Sequence, residues 1–148
     1  MTSRDFIKRE FGNADGNDKA HSSIKKDGLG NIYSYGSHYP LLFTVNGFTF
    51  RNVRGYSNTT AKHISWCWGF DAIDVVLDEQ ASEVVARLFA TEPDKMREVN
   101  RCLYLQLREL MDKMESKKRR DTWVYRDLQR QHEQVYNNIN AISTEVMV

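Results

Sequence analysis

Two short segments of this chain carry most of the side chains that could bind an anion. Both lie between Asn31 and Phe70, and together they contribute two imidazoles, one ammonium group and several hydroxyls. The second segment has the composition of a helix start, which offers unpaired N–H donors and a favourable dipole to a phosphate. The sequence therefore predicts a pocket for an anion or a partner, formed by Tyr33, Tyr35, His38, Ser57, Thr59, Thr60, Lys62 and His63. The simpler interpretation is that the hydroxyls cap the helix and the histidines make ordinary hydrogen bonds.

The same segments contain residue types that act as nucleophiles and bases. Ser57 or Cys67 could be activated by His63 with Asp71 nearby, but no nucleophile elbow or cysteine-protease motif surrounds them. A small hydrolase acting on phosphate esters through His38 and His63 is a further hypothesis. No catalytic residue is assigned, and the pattern favours a protein that is not an enzyme.

The cysteines bear on metal binding and on the cellular compartment. Cys67 and Cys102 lie far apart, and with His38 and His63 they lack the paired short spacing of a structural zinc site. Neither a metal nor another cofactor is therefore predicted. An isolated pair is typical of buried thiols in a reducing compartment. With no signal peptide and no membrane-length apolar segment in the sequence, we expect a soluble, cytoplasmic protein with no membrane contact.

A second group of cations follows residue 116 and contains an aromatic ring. We interpret it as a basic surface formed by Lys117, Lys118, Arg119, Arg120, Trp123 and Arg126. Cations mixed with aromatic rings suit nucleic acid, because the cations pair with phosphates while the rings stack on bases. Acidic residues at 115, 121, 127 and 133 favour the opposite interpretation, a solvated helix face joined by salt bridges. The formal net charge of +1 does not by itself require nucleic acid.

These candidate sites need a scaffold, and 148 residues suffice for about one domain with its own core. Alternating β-branched and aromatic residues predict strands at Ile32–Tyr35, Leu41–Val45 and Phe48–Val53. Asn46-Gly47 joins the last two strands, since a type I′ turn needs positive φ at both central residues. The expected unit is a small antiparallel β-meander, followed by a short helix after Ser57.

Helical periodicity dominates the rest of the chain. A helix is predicted over Glu79–Ala90, and Thr91 with Pro93 marks the start of a longer one that reaches about Glu115. The apolar stripe then resumes beyond the basic run, which predicts either a long helical hairpin or one continuous helix. We prefer the hairpin, restarted by Asp121-Thr122, because it buries more surface. Part of the stripe could also form a coiled-coil seam in a homodimer.

The change in composition near residue 30 predicts the domain organisation. Residues 1–30 are polar and rich in glycine and asparagine, which predicts a flexible leader. Phe6, Ile7 and Phe11 are the exception, since they could form an amphipathic turn that docks on the domain or on a partner. Residues 31–148 are expected to form one α+β domain, with the sheet and motifs in 31–77 and a helix-rich half in 78–148.

Two motifs of the predicted sheet and short helix resemble those of a known family. They are Ile32-Tyr33-Ser34-Tyr35-Gly36-Ser37-His38 and Tyr56-Ser57-Asn58-Thr59-Thr60-Ala61-Lys62-His63-Ile64. The pair is similar to the YSYG.H and YS.TT.KH elements of a family of small uncharacterised tailed-bacteriophage proteins. The resemblance implies expression in the cytoplasm of a bacterial host, and it marks the motif positions as a site. It implies no activity, and the leader and the helical half lie outside it.

These features together favour a non-enzymatic binding protein of bacteriophage type. Its expected partner is a host or defence protein, and inhibition of a bacterial immune nuclease is one concrete form of that function. The alternative is a nucleic-acid-binding module that uses the His/Thr/Lys pocket and the basic run. Affinity that falls steeply with salt would identify the alternative.

Overall fold

A computed structural model of the chain describes residues 1–34, 39–55, 58–87 and 90–146, with the backbone alone at 58, 59 and 144–146. The described residues form a six-stranded sheet and five helices, so the predicted α+β class is confirmed. The chain divides into two compact units, Met1–Val99 and Asn100–Val148. The division falls inside a helix rather than between the predicted sheet and helical regions.

The sheet of the first unit follows chain order. Its strands are β1 (Lys19–His21), β2 (Ile24–Lys26), β3 (Ile32–Ser34), β4 (Tyr39–Val45), β5 (Phe48–Asn52) and β6 (Ile73–Val75). β1 to β5 form the antiparallel meander that the sequence predicts, but it begins before Asn31. β6 pairs with β5 in parallel, because helix α2 (Asn58–Ser65) lies between them in the chain and brings β6 back in the same direction.

The β4–β5 hairpin forms at the predicted turn. Asn46 and Gly47 have φ values of 51° and 81°, as a type I′ turn requires. β4 is buried at every position except Thr44, which indicates a strand covered on both faces. Helix α3 (Glu79–Ala86) contacts β4, and the Asp78 carboxylate caps this helix by accepting from the Ala81 N–H at 2.9 Å. α3 is shorter than predicted, and Leu88 and Phe89 lie outside the described residues.

The prediction of a flexible leader is wrong. Helix α1 (Ser3–Glu10) begins with a capping box between Thr2 and Asp5, and it buries Phe6 and Ile7. Both pack in the core cluster with residues of the sheet and of α2, and Phe11 packs against the same cluster. The alternative expectation, an amphipathic segment that docks on the domain, is confirmed.

Polar pairing explains why the composition of residues 1–30 was misleading. The Lys26 side chain is fully buried, and its Nζ donates to Asp15 Oδ1 at 2.7 Å and to the Asn17 carbonyl. Glu10 is also buried and accepts from Asn13 Nδ2 at 3.0 Å. Composition predicts disorder when too little apolar surface can be buried. Here the polar groups satisfy one another, so the segment is ordered around the few apolar side chains that it buries.

Two long helices account for most of the second unit. α4 (Glu92–Glu115) begins in the first unit, where Thr91 Oγ1 accepts from the Asp94 N–H at 3.2 Å, and α5 is Trp123–Val146. Thr122 Oγ1 accepts from the Tyr125 N–H at 3.3 Å and so caps α5 near the predicted restart. Residues 116–122 separate the helices, so the pair of helices is confirmed and the continuous helix is wrong. No described helix combines the length and apolar character needed to cross a membrane.

Candidate functional site

His63 lies on α2 and is only 1% exposed. Its Nε2 is 2.9 Å from Ser23 Oγ, and its Nδ1 is in hydrogen-bond contact with Ser34 Oγ. A neutral imidazole has one N–H and one bare nitrogen, so one hydroxyl accepts from the ring while the other donates to it. Burial, and secondarily the neighbouring Lys62 charge, lowers the pKa of His63 and favours this neutral form. For His63, the simpler interpretation of an ordinary hydrogen-bonded histidine is the one the structure supports.

The other described members of the predicted pocket lie in different surroundings. Tyr33 is buried, and its hydroxyl donates to Asp27 Oδ2 at 2.8 Å. Burial and then the Asp27 carboxylate raise the pKa of Tyr33. Because neighbouring residues of a strand point to opposite faces, Tyr33 and the Ser34–His63 contact lie on opposite sides of β3. Thr60 is buried, whereas Lys62 is exposed.

The remaining members of the predicted pocket are Tyr35, His38, Ser57 and Thr59. Tyr35, His38 and Ser57 lie outside the described residues, and Thr59 is described only as part of the α2 backbone. Because Tyr33 and the Ser34–His63 contact lie on opposite sides of β3, the structure does not bring Tyr33 and His63 into one pocket. Whether His38 joins His63 stays a prediction.

Of the residues considered for catalysis, Ser57 lies outside the described residues, and Cys67 is held in the core. Cys67 is a buried free thiol whose Sγ donates to the His63 carbonyl oxygen at 3.7 Å, and burial raises its pKa to about 12. Since the thiolate is the reactive form, this thiol is a poor nucleophile near neutral pH. Cys102 is likewise a buried thiol outside any disulfide, as the sequence predicts. Among the described residues, no group of three or more His, Cys, Asp or Glu is placed to hold a metal ion.

A pocket of about 330 Å³ opens beside α1 and the turn that follows α2. We call it the α1–α2 pocket, and it is lined by Arg4, Lys8, Ser65, Trp66, Trp68, Gly69 and Phe70. Arg4 and Lys8 are one helical turn apart on α1 and are both exposed. No carboxylate is among the described residues that line it, so cations and aromatic rings determine its chemistry.

Trp68 presents its indole to this pocket on a rigid support. Trp68 is 56% exposed, and the Arg51 guanidinium carbon lies 4.5 Å from the centroid of its ring. Arg51 is itself held by three hydrogen bonds, to Asp74 Oδ1 at 2.8 Å and to the Cys67 and Phe70 carbonyls at 2.8 and 3.0 Å. A guanidinium stacked on an indole adds cation–π attraction to these bonds. Arg51, held by these hydrogen bonds, thus supports the Trp68 ring.

Trp66 and Phe70 complete the aromatic wall. The Trp66 ring lies 5.1 Å from the His63 ring, and Lys62 Nζ is 5.7 Å from its centroid. Phe70 meets Phe11 edge to face at 5.4 Å. Sequence reasoning did not find this pocket because its cations lie in the supposed leader, about 60 residues from the tryptophans. Two signals in the sequence pointed to it. Arg4 and Lys8 form an i, i+4 pair beside the apolar Phe6 and Ile7, and two tryptophans have the spacing Trp66-x-Trp68.

The predicted basic surface lies in the second unit, and we call residues 117–126 the basic loop region. Lys117, Lys118, Arg119, Arg120 and Arg126 are exposed there, and Trp123 is 77% exposed. Arg120 lies 5.9 Å from the Tyr125 ring centroid. Asp127 accepts instead from Arg130 and Gln131, and the Arg130 hydrogen bond lowers its pKa. Within the described chain no ion pair links residues 117–120 to a carboxylate, so the predicted salt-bridged face does not include them.

No protein-family model, curated protein or solved structure matches this chain. The bacteriophage resemblance therefore stays a prediction carried by its two motifs. In the described residues these motifs meet where Ser34 of the first contacts His63 of the second. That contact gives the paired motifs a packing role, whatever else they do.

Proposed function

We propose that this protein is a non-enzymatic binding protein of bacteriophage type that acts on a host or defence protein inside a bacterium. The observation that carries the proposal is the 77% exposure of Trp123, which follows a run of four exposed cations within a few residues. Tryptophan and arginine are the residue types that most often dominate binding energy at protein interfaces. The bacteriophage origin rests on the paired motifs.

Binding is better supported than catalysis by the state of the reactive groups. His63 uses both ring nitrogens in contacts with Ser23 and Ser34, and it is almost completely buried. The Cys67 thiol is buried with a raised pKa. A general base needs access to the proton it removes, and a thiol nucleophile needs a low pKa. Neither condition is met at these two residues.

The charge of the basic loop region bears on the class of partner. Exposed cations complement an acidic surface and accelerate association with it. Metal-dependent nucleases hold their ions with carboxylates, so their active sites are acidic clefts that a cationic loop complements. An immune nuclease is therefore the concrete partner we propose, with Trp123 as the anchor beside the charged contacts.

Nucleic-acid binding is the second candidate, and the same loop favours it. The cations at 117–120 have no carboxylate partner among the described residues, so each is available to a phosphate. An adjacent exposed indole could stack on an unpaired base. Counterion release would make such binding fall steeply with salt, whereas an interface anchored by Trp123 would lose less.

The test is a pull-down of the tagged full-length protein from bacterial lysate, with and without nuclease treatment, at low and high salt. We expect one protein to be recovered in stoichiometric amount after nuclease treatment. Trp123→Ala and replacement of residues 117–120 by serine should each abolish the capture. Trp68→Ala, which removes an exposed indole from the first unit, is the matched control and should retain it.

A captured nuclease would then be assayed with and without the purified protein, and inhibition that requires Trp123 is the expected result. Recovery of nucleic acid alone, lost at high salt, would overturn the protein-partner proposal in favour of the second candidate. Capture that is unchanged in Trp123→Ala would overturn the assignment of the surface.

A further inference from the structure

We propose that the α1–α2 pocket binds a nucleoside phosphate, with the base stacked on Trp68 and the phosphate held by Arg4 and Lys8. The same chemical unit occurs as a free nucleotide and as one residue of a single-stranded nucleic acid. This site belongs to the first unit and is independent of the Trp123 surface, so either proposal can fail without the other.

The aromatic half of the pocket is prepared for stacking. Arg51 lies against the Trp68 ring, and its hydrogen bonds to Asp74 and to two carbonyls hold it in place. With Trp68 still 56% exposed, a planar group can stack on its accessible surface. Because the indole is already ordered, binding loses little side-chain entropy there. Bases stack on such rings with little preference among them, since every base has a π-face.

The cationic half faces the same space from α1. Arg4 offers a planar guanidinium that can bind two phosphate oxygens at once, and Lys8 adds a compact positive charge one turn away. Asp5 is the nearest acidic neighbour in sequence, but it caps the helix through Thr2, whose hydrogen bonds lower the pKa of Asp5. The pocket thus combines fixed positive charge with an apolar wall.

Size and composition select this ligand class. A volume of about 330 Å³ is at the small end of ligand pockets, which span roughly 300–1,000 Å³. Inorganic phosphate alone would leave the tryptophans unused, and a neutral aromatic molecule would leave both cations unpaired. A ligand with a flat ring and a phosphate uses both halves.

Gly69 allows a direct test of the pocket. A Cβ built on Gly69 meets no atom within 4 Å, and its φ is not in the left-handed region. Gly69→Leu should therefore leave the fold intact while it adds a bulky side chain to the lining of the pocket. Gly55 has the same open surroundings, so Gly55→Leu is the matched control away from the pocket.

The experiment is calorimetric titration of the purified full chain with adenosine monophosphate, adenosine, inorganic phosphate and a short oligothymidine strand. We expect the monophosphate to bind about tenfold or more tightly than adenosine or phosphate, because only it contacts both halves. Trp68→Ala, the double change Arg4→Ala/Lys8→Ala, and Gly69→Leu should each weaken binding about fivefold or more. Gly55→Leu should bind like the unaltered protein.

The two ligand sources are separated by the oligothymidine arm. Affinity well above that of the monophosphate, with the same sensitivity to Trp68→Ala, identifies single-stranded nucleic acid as the source. Equal or weaker affinity identifies a free nucleotide, and both results support the site. Absence of binding to either ligand at millimolar concentration, or binding that Gly69→Leu leaves unchanged, overturns the proposal.

Discussion

The His63 cluster and the basic loop region use residue types that mark functional sites in a sequence, but the two regions place them in opposite situations. Around His63, the imidazole and the Ser34 hydroxyl are buried, and the half-buried Ser23 hydroxyl contacts the second ring nitrogen. In the basic loop region, residues 117–120 and Trp123 face solvent without a carboxylate partner among the described residues. Polar groups paired inside a core stabilise the fold, whereas unpaired ones at a surface are available to a ligand.

The α1–α2 pocket contains both kinds of polar group, those paired with other protein groups and those exposed to solvent. The buried Arg51, held by Asp74 and by backbone carbonyls, lies against the Trp68 ring. The exposed groups of the pocket, Arg4 and Lys8, carry the charge. We expect substitutions that break paired polar contacts in the core to reduce stability. Substitutions of exposed, unpaired groups should reduce binding alone.

The largest expected effect is that of His63→Ala. Removing the ring leaves the Ser23 and Ser34 hydroxyls without their partner and opens a cavity in the core. We expect the free energy of unfolding to fall by about 2–4 kcal/mol, measured by urea denaturation followed by circular dichroism. Below its unfolding transition the variant should still bind through Trp123. A loss of binding with unchanged stability would show that His63 contributes to binding rather than to the fold.

A smaller loss of stability is expected for Tyr33→Phe. The change keeps the ring but removes the hydrogen bond from the hydroxyl to the Asp27 carboxylate. Hydrogen bonds to charged groups contribute about 1.5–3 kcal/mol, so a decrease near the lower end of that range should appear in the same urea assay. Tyr136→Phe, at a half-exposed position on α5, is the control and should be neutral. Equal effects of the two changes would show that the Tyr33–Asp27 bond is not stabilising.

The titration of His63 should make stability depend on pH. Burial lowers its folded-state pKa below the usual 6.5, so the unfolded chain binds the proton first. Stability from this group is therefore complete above about pH 6.5 and decreases as the pH falls from there toward the folded-state pKa. Urea unfolding between about pH 7.5 and 5.5 should show a decline that is reduced in His63→Gln. A decline of the same size in both proteins would exclude His63 as its origin.

The smallest effect on stability is expected in the basic loop region. Trp123→Ala and the replacement of residues 117–120 by serine remove exposed side chains that no described carboxylate contacts. The free energy of unfolding should change by less than about 0.5 kcal/mol, while partner capture is lost. Thermal unfolding and the pull-down, run on the same preparations, measure both quantities. A large stability change would show that these residues stabilise the fold, as His63 does.

Local patterns in the sequence predicted much of the fold. The Asn46-Gly47 turn, the Thr91 start of α4 and the restart of α5 at Thr122 all depend on contacts within four residues, and all are confirmed. The sequence leaves Phe70–Leu77 ambiguous between strand and helix, with Val75-Val76 favouring a strand, and the structure has the parallel strand β6 there. The order of residues 1–30 was missed because it depends on pairs such as Lys26 with Asp15, which composition cannot reveal.

The sequence by itself determined the α+β class, the hairpin turn, the helix starts and the position of the exposed cations, because each follows from local conformational preference or charge. Only the tertiary structure decided that His63 contacts Ser23 and Ser34, and that Arg4 and Lys8 line one pocket with Trp68. These contacts join residues tens of positions apart in the chain. Burial and pairing are properties of the folded surface, and they decide whether a polar side chain stabilises the protein or binds a ligand.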